Sequence, residues 1–193
     1  MSLQNKQPES KQLLAKYWAT GKKFHAKTSS FIKKYNNKII VIKYGGYALT
    51  KPALLKSFAK NISLLNQLGI KVIVVHGGGP QIEKELKKRK INNEEYQGLR
   101  VTTKSVLGVV KRILSHDLNK LISDEIKKNG GKTKRLNGVS TKVLKAKIAM
   151  NGNIGFVGEP RGIDKNIIMK ALKSNHIPII APLGVDANNN TLN

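Results

Sequence analysis

Val72–Pro80 reads Val-Ile-Val-Val-His-Gly-Gly-Gly-Pro. Val72–Val75 is a run of β-branched residues without a polar break, which suits a strand buried on both faces of a parallel sheet. Three glycines follow at once. They leave no side chain between the backbone and whatever lies above the strand end. Their N–H groups can converge on an anion, and glycine tolerates the positive φ such turns often need. Pro80 stands where a first helical turn accepts it, with Ile82 and Leu86 continuing at i, i+4. Strand, glycine turn and helix N-terminus together build a site for an oxyanion or phosphate. One glycine would mean only a tight turn; three at this junction point to a ligand.

The flanking sequence repeats the pattern. Ile39–Tyr44 is a first core strand, ending in Lys43-Tyr44-Gly45-Gly46. Pro52–Leu68 is a helix whose Leu54, Leu55, Phe58, Ile62, Leu65 and Leu68 form one stripe, with Gly69 at its C-terminus. Lys71–Val75 follows, so the segment is a βαβ unit with parallel strands. Both glycine turns then emerge on one sheet edge, where ligands of parallel sheets bind. Lys43 is an ammonium among isoleucines and valine, expensive to bury unless an anion meets it. Its functional role is stabilisation of transferred phosphoryl charge; its bland alternative is snorkelling to water. Arg100 follows Gly98-Leu99, and its planar fork suits a carboxylate.

Further on, helices are expected at about 104–114 and 117–128, the second capped by Asp117 and stopped at Asn129-Gly130-Gly131. Leu144, Ala146 and Ile148 alternate in a strand, and Asn151-Gly152 turns it into a partner at Ile154–Val157. Asp164 caps a helix bearing Ile167, Ile168, Ala171 and Leu172. Ile177–Ala181 is another strand. Asp186–Asn190 is a turn, and a last strand begins before Asn193. The fold class is α/β, a three-layer αβα arrangement on an open, mainly parallel sheet.

Composition narrows the function. A length of 193 residues suits one domain with a good core. No cysteine is present, so disulfides and thiolate metal sites are excluded and a reducing compartment is expected. No apolar run is long enough for a membrane span, and a cytoplasmic protein without membrane contact follows. The net charge of +25 invites a nucleic-acid partner. We discount it because only 5 of the 36 basic residues are Arg, the better reader of phosphates and bases, and the lysines are scattered. Gly131-Lys132-Thr133 imitates the end of a phosphate loop but closes a helix instead of opening one. The four histidines have no metal-ligand spacing, and His76 is taken as structural. No metal site is expected. Residues 1–38 form a basic helical arm. Leu13, Leu14, Tyr17 and Trp18 recur at helical spacing, and a second helix spans about Thr28–Tyr35. A flexible tail, an arm docking on another subunit, and an organelle presequence all fit it.

Ile42–Gly46, Val74–Gln81, Gly98-Leu99-Arg100-Val101-Thr102, Gly155–Glu159 and Ile179–Val185 resemble the N-acetyl-L-glutamate kinases of the amino acid kinase family. The match runs in order from about residue 28 to residue 193. The resemblance implies a two-lobed open sandwich, with residues 39–193 as the lobe that binds N-acetyl-L-glutamate and a C-terminal lobe for ATP with Mg²⁺. It implies Lys43 as the catalytic cation, Gly45 and Gly46 as phosphate or ATP ligands, and Gly78, Gly79, Arg100 and Asn193 as substrate ligands. It implies a homo-oligomer, a hexamer where an N-terminal arm joins dimers. The alternatives are a non-catalytic basic module on the same fold and another amino acid kinase such as glutamate 5-kinase. Tyr47 departs from the family's small or polar residue. The family continues beyond Leu192 as Asn-x-Asn-Ala-Asp, and only the first Asn is present. This chain thus resembles the first two-thirds of such an enzyme. The 193-residue chain alone is therefore expected to form no acyl phosphate from acetylglutamate and MgATP, measured by hydroxylamine trapping. Turnover near the usual kinase range of roughly 1–100 s⁻¹ would contradict that.

Overall fold

The computed structural model describes residues 26–193. The expected helix through Leu13, Leu14, Tyr17 and Trp18 lies outside the described residues. The elements in order begin with α1 (Ala26–Tyr35), β1 (Ile39–Tyr44), a 3₁₀ turn (Ala48–Thr50), α2 (Pro52–Gln67), β2 (Lys71–His76) and α3 (Gly79–Lys88). A small hairpin, β3 (Glu95–Tyr96) and β4 (Leu99–Arg100), leads into α4 (Lys104–Lys111), a π-helical segment (Arg112–Leu118) and α5 (Asn119–Lys128). Then come β5 (Thr133–Asn137), β6 (Leu144–Ile148), β7 (Gly158–Ile163), α6 (Lys165–Lys173), β8 (Ile177–Ala181), β9 (Gly184–Val185) and β10 (Thr191–Leu192).

The central sheet is parallel throughout, in the order β1-β2-β8-β5. Its alternating side chains build two cores. Val72 and Val74 of β2 with Ile177, Ile179 and Ala181 of β8 meet Leu55, Ala59 and Ile62 of α2, Ile82 and Leu86 of α3, and Val106, Val110, Ile122 and Ile126 of α4 and α5. On the opposite face Ile73, Leu136 and Ile180 meet Ile168 and Leu172 of α6. Helices therefore cover both faces, as the apolar run at Val72–Val75 demands. A second sheet, ordered β10-β9-β6-β7, stands beside the first.

The local signals hold at most boundaries. Gly69 turns the chain after α2 with φ +85°, a conformation a side chain resists. Pro80 lies in the first turn of α3. The Asp164 carboxylate accepts from the N–H groups of Asn166 (2.9 Å) and Ile167 (3.4 Å), capping α6.

Three expectations need correction. The first strand is a core strand on one face only, through Ile40, Ile42 and Tyr44. β1 is the edge of its sheet, and Ile39 and Val41 are 46% and 63% exposed. Helix α6 packs over β2, β8 and β5 and does not reach across to it. The two helices expected at 104–128 are continuous through the π segment, so Asp117 caps nothing and instead lies 3.7 Å from the Arg112 guanidinium. The true cap is Thr103, whose Oγ1 accepts from the Val106 N–H. Last, Asn151-Gly152 does reverse the chain, but the partner of β6 is β7 at Gly158–Ile163. Ile154 and Val157 are drawn instead into a small cluster with Ala149.

Gly138, just after β5, shows where the two sheets meet most tightly. A Cβ there would lie 1.7 Å from the Leu183 carbonyl oxygen and 2.4 Å from its carbon. Backbone cannot move aside as a side-chain tip can. Gly138→Ala is expected to destabilise the fold by about 3 kcal/mol or more in urea titration, at the upper end for overpacking. An unchanged midpoint would contradict this junction.

Candidate active site

β1 and β2 run in register from Ile39 beside Lys71 to Tyr44 beside His76. The two glycine turns therefore leave the sheet side by side. A Cβ on Gly46 would lie 2.8 Å from the Gly78 nitrogen and 3.0 Å from that of Gly79. The turns thus touch backbone to backbone. Gly77 N–H donates to the Tyr44 carbonyl at 2.9 Å, and the Gln81 amide donates to the Gly46 carbonyl at 2.9 Å. Gln81 Oε1 is buried without a partner. Gly78 is also pressed from behind: a Cβ there would meet Leu118 at 2.6 Å and Leu114 at 2.7 Å, both on the π segment.

The four candidate glycines divide in two. Gly46 is hemmed in by main chain and Gly78 by the tips of two leucine side chains. At Gly45 and Gly79 a Cβ would meet nothing within 4 Å, and neither has a positive φ. Packing and backbone strain do not explain those two. Gly79 opens α3, so its N–H joins the free amides at the positive end of the helix dipole.

Lys43 is exposed on the strand face opposite buried Tyr44. The burial penalty that singled it out is therefore not incurred, and only its position two residues before Gly45 remains. Tyr44 turns inward. It stacks on Phe58 at 3.9 Å between ring centroids. Its hydroxyl is buried without a partner, and burial pushes its pKa up.

Arg100 is brought to α3. Its guanidinium donates to Asn93 Oδ1 and, at 3.4 Å, to Glu83 Oε1. Glu83 stands four residues along α3 from Gly79, about 6 Å of helical rise. Arg100 thus arrives already facing a carboxylate, although that partner is exposed and such pairs add little stability. Asn193 joins from the far end of the sequence. Its Nδ2 donates to Thr102 Oγ1 at 3.4 Å, and Thr102 Oγ1 donates to the Arg100 carbonyl at 3.0 Å. Asn193 is pinned by main-chain bonds to Phe156 and Gly158.

Beneath the glycines lies a polar network that the sequence pattern did not reveal. His76 is 1% exposed, and burial lowers its pKa, so the ring is neutral near pH 7. Its Nδ1 lies 3.1 Å from the Gly77 carbonyl oxygen, and its Nε2 lies 3.2 Å from Asn119 Nδ2. Asn119 also donates to the Ile179 carbonyl (2.9 Å), while its Oδ1 accepts from Arg135 Nε (3.0 Å). Arg135 donates in addition to the Ser115 carbonyl of the π segment at 2.7 Å. Asn119 and Arg135 look unremarkable in sequence, and Asn119 follows directly on the π segment.

Residues 38–193 match the model of the amino acid kinase family. Acetylglutamate kinase from Psychrobacter cryohalolentis is 40% identical over 174 residues, covering 84% of this chain and 58% of that protein. Acetylglutamate kinase from Campylobacter curvus is 39% identical over 163 residues, with the same two shares. Among solved structures, smu.665 from Streptococcus mutans superposes with TM-score 0.70 at 29% identity, over 80% of this chain and 62% of that one. The chain thus spans 58% of the length of these two kinases.

The contact between the glycine turns is open to a direct test. Gly46→Ala is expected to lower stability by about 1–3 kcal/mol, because its methyl must displace main chain. Gly45→Ala should stay within about 0.5 kcal/mol of the parent. Equal denaturation midpoints for both variants would refute the close approach.

Proposed function

Because the chain belongs to the amino acid kinase family, we propose that it forms the acetylglutamate-binding side of an N-acetyl-L-glutamate kinase. Such an enzyme transfers the γ-phosphoryl group of ATP to the side-chain carboxylate of N-acetyl-L-glutamate. The observation that carries this reading is a convergence. Two glycine turns touch at the N-terminus of α3, one helical turn from Arg100, with Asn193 tied to the same strand through Thr102.

The chemistry asks little of the protein beyond placement and charge. A carboxylate nucleophile is ionised at pH 7, so no general base is needed. Phosphoryl transfer then depends on alignment and on stabilising charge on the equatorial oxygens. In our reading Gly45 and Gly46 hold phosphoryl oxygens by main-chain N–H, and Gly78 and Gly79 hold oxygens of the acceptor. Lys43 swings its exposed ammonium onto the transferred group. Arg100 exchanges its contact with Glu83 for the substrate's α-carboxylate, a bidentate partner of better geometry. Asn193 fixes the other end of the substrate. ATP is the co-substrate, and Mg²⁺ arrives on its phosphates. Among the described residues no group of three or more His, Asp or Glu residues is placed to hold a metal.

We further propose an arm at residues 1–38, a substrate lobe at 39–193, a homo-oligomer joined through that arm, and work in the cytoplasm. Among the described residues no helix is long and apolar enough to cross a membrane.

Titration calorimetry of this chain with N-acetyl-L-glutamate tests the reading. Binding is expected, and Arg100→Lys should weaken it about tenfold or more, since an ammonium cannot make the paired contact. A chain that does not bind acetylglutamate, or an Arg100→Lys variant with unchanged Kd, would overturn it.

A further inference from the structure

We propose that His76, fixed in its Nδ1–H tautomer by Asn119 and Arg135, is a positioning residue for the Gly77–Gly79 turn. The tautomer follows from donor and acceptor chemistry. Arg135 can only donate, so the Asn119 atom 3.0 Å from its Nε is the carbonyl oxygen. The Asn119 amide group then faces His76 Nε2 and the Ile179 carbonyl. An amide NH₂ can only donate, so Nε2 carries no proton. The ring proton must sit on Nδ1, where it is donated to the Gly77 carbonyl at 3.1 Å.

The consequence reaches the turn through the rigidity of one peptide unit. The Gly77 carbonyl and the Gly78 N–H belong to the same plane and point in opposite directions. Fixing the carbonyl on His76 therefore fixes where the Gly78 N–H points. The preceding plane is held as well, by the Gly77 N–H on the Tyr44 carbonyl. Glycine has no side chain to restrict it, and Gly78 gains its direction from its neighbours. Arg135 anchors the far end by holding both Asn119 and the π-segment carbonyl of Ser115. The network joins β2, α5 and β5, three elements of the rigid sheet and its helix layer, to a turn that must not wander.

That the Gly78 N–H holds an acceptor oxygen rests on the reading in the preceding subsection. The tautomer and the orientation of the turn do not. Long-range ¹H–¹⁵N spectra of the 193-residue chain at pH 7 report the tautomer directly. A protonated Nδ1 and bare Nε2 at His76 are expected; the reverse pattern would overturn the inference without any ligand present. Two variants then test the turn. His76→Leu removes the donor. His76→Asn keeps one, because the Asn amide nitrogen falls near the Nδ1 position. The Gly78 amide resonance is expected to move in His76→Leu and to return toward the parent position in His76→Asn, while Gly98 stays put in both. Acetylglutamate Kd should rise about tenfold in the first variant, as for loss of one ordering hydrogen bond, and recover in the second. An unmoved Gly78 resonance in His76→Leu would sink the positioning role. Failure of the parent chain to bind acetylglutamate would count against the functional reading alone, with the resonance still deciding this one.

Discussion

The backbone contact between Gly46 and Gly78–Gly79 is the constraint on which the rest of the structure depends. Two strand ends come within van der Waals distance only if no side chain separates them. Six residues of parallel register between β1 and β2 bring them there. The Gln81 amide closes the gap from the helix side, reaching the Gly46 carbonyl. The result is a concentration of main-chain N–H groups where ionisable side chains would be mobile and strongly hydrated. Amides fixed by a sheet are preorganised, and preorganised dipoles need little rearrangement when charge develops.

The π segment is the second device. A π turn holds more residues than an α turn, so the face of the helix advances as it passes Arg112–Leu118. Leu114 and Leu118, four residues apart, both bear on Gly78, while Asn119 turns to the sheet. The carbonyl of Ser115 is taken up by Arg135, which offsets the weaker hydrogen bonding of a π turn. Irregular winding here is thus tied to the glycine turn and not to any flexibility of the helix.

Much of this was legible in the residues themselves. The run Val72–Val75, the glycines after each strand and the stripe along α2 specify a βαβ unit and the edge on which its turns meet. What escaped was set by tertiary contacts. Ile39 and Val41 read as core residues because periodicity says which face is apolar, not whether a helix covers it. Lys43 was singled out by a burial that an edge strand does not impose. The strand expected at Ile154–Val157 lost to a local alternative, since Thr102 bridges to Gly155 and Ile154 finds its own cluster. Asn119 and Arg135 carry no signal, because a polar residue inside a helix or strand reads as solvent-facing until its tertiary neighbours are known.

Charge works in this molecule on two length scales. The +25 net charge raises the local concentration of any anion, but its field decays over about 8 Å at physiological salt. It is also borne mostly by lysines, whose ammonium groups move and stay hydrated. Such a field attracts a phosphate or a carboxylate without orienting it. Orientation needs donors that are few, short-ranged and immobile. Gly78 and Gly79 at the start of α3, with Arg100 held against Glu83 and Asn93, meet that description. In the proposed function the lysines bring many anions near, and only one whose oxygens match the spacing of the glycine amides and the Arg100 fork gains from staying.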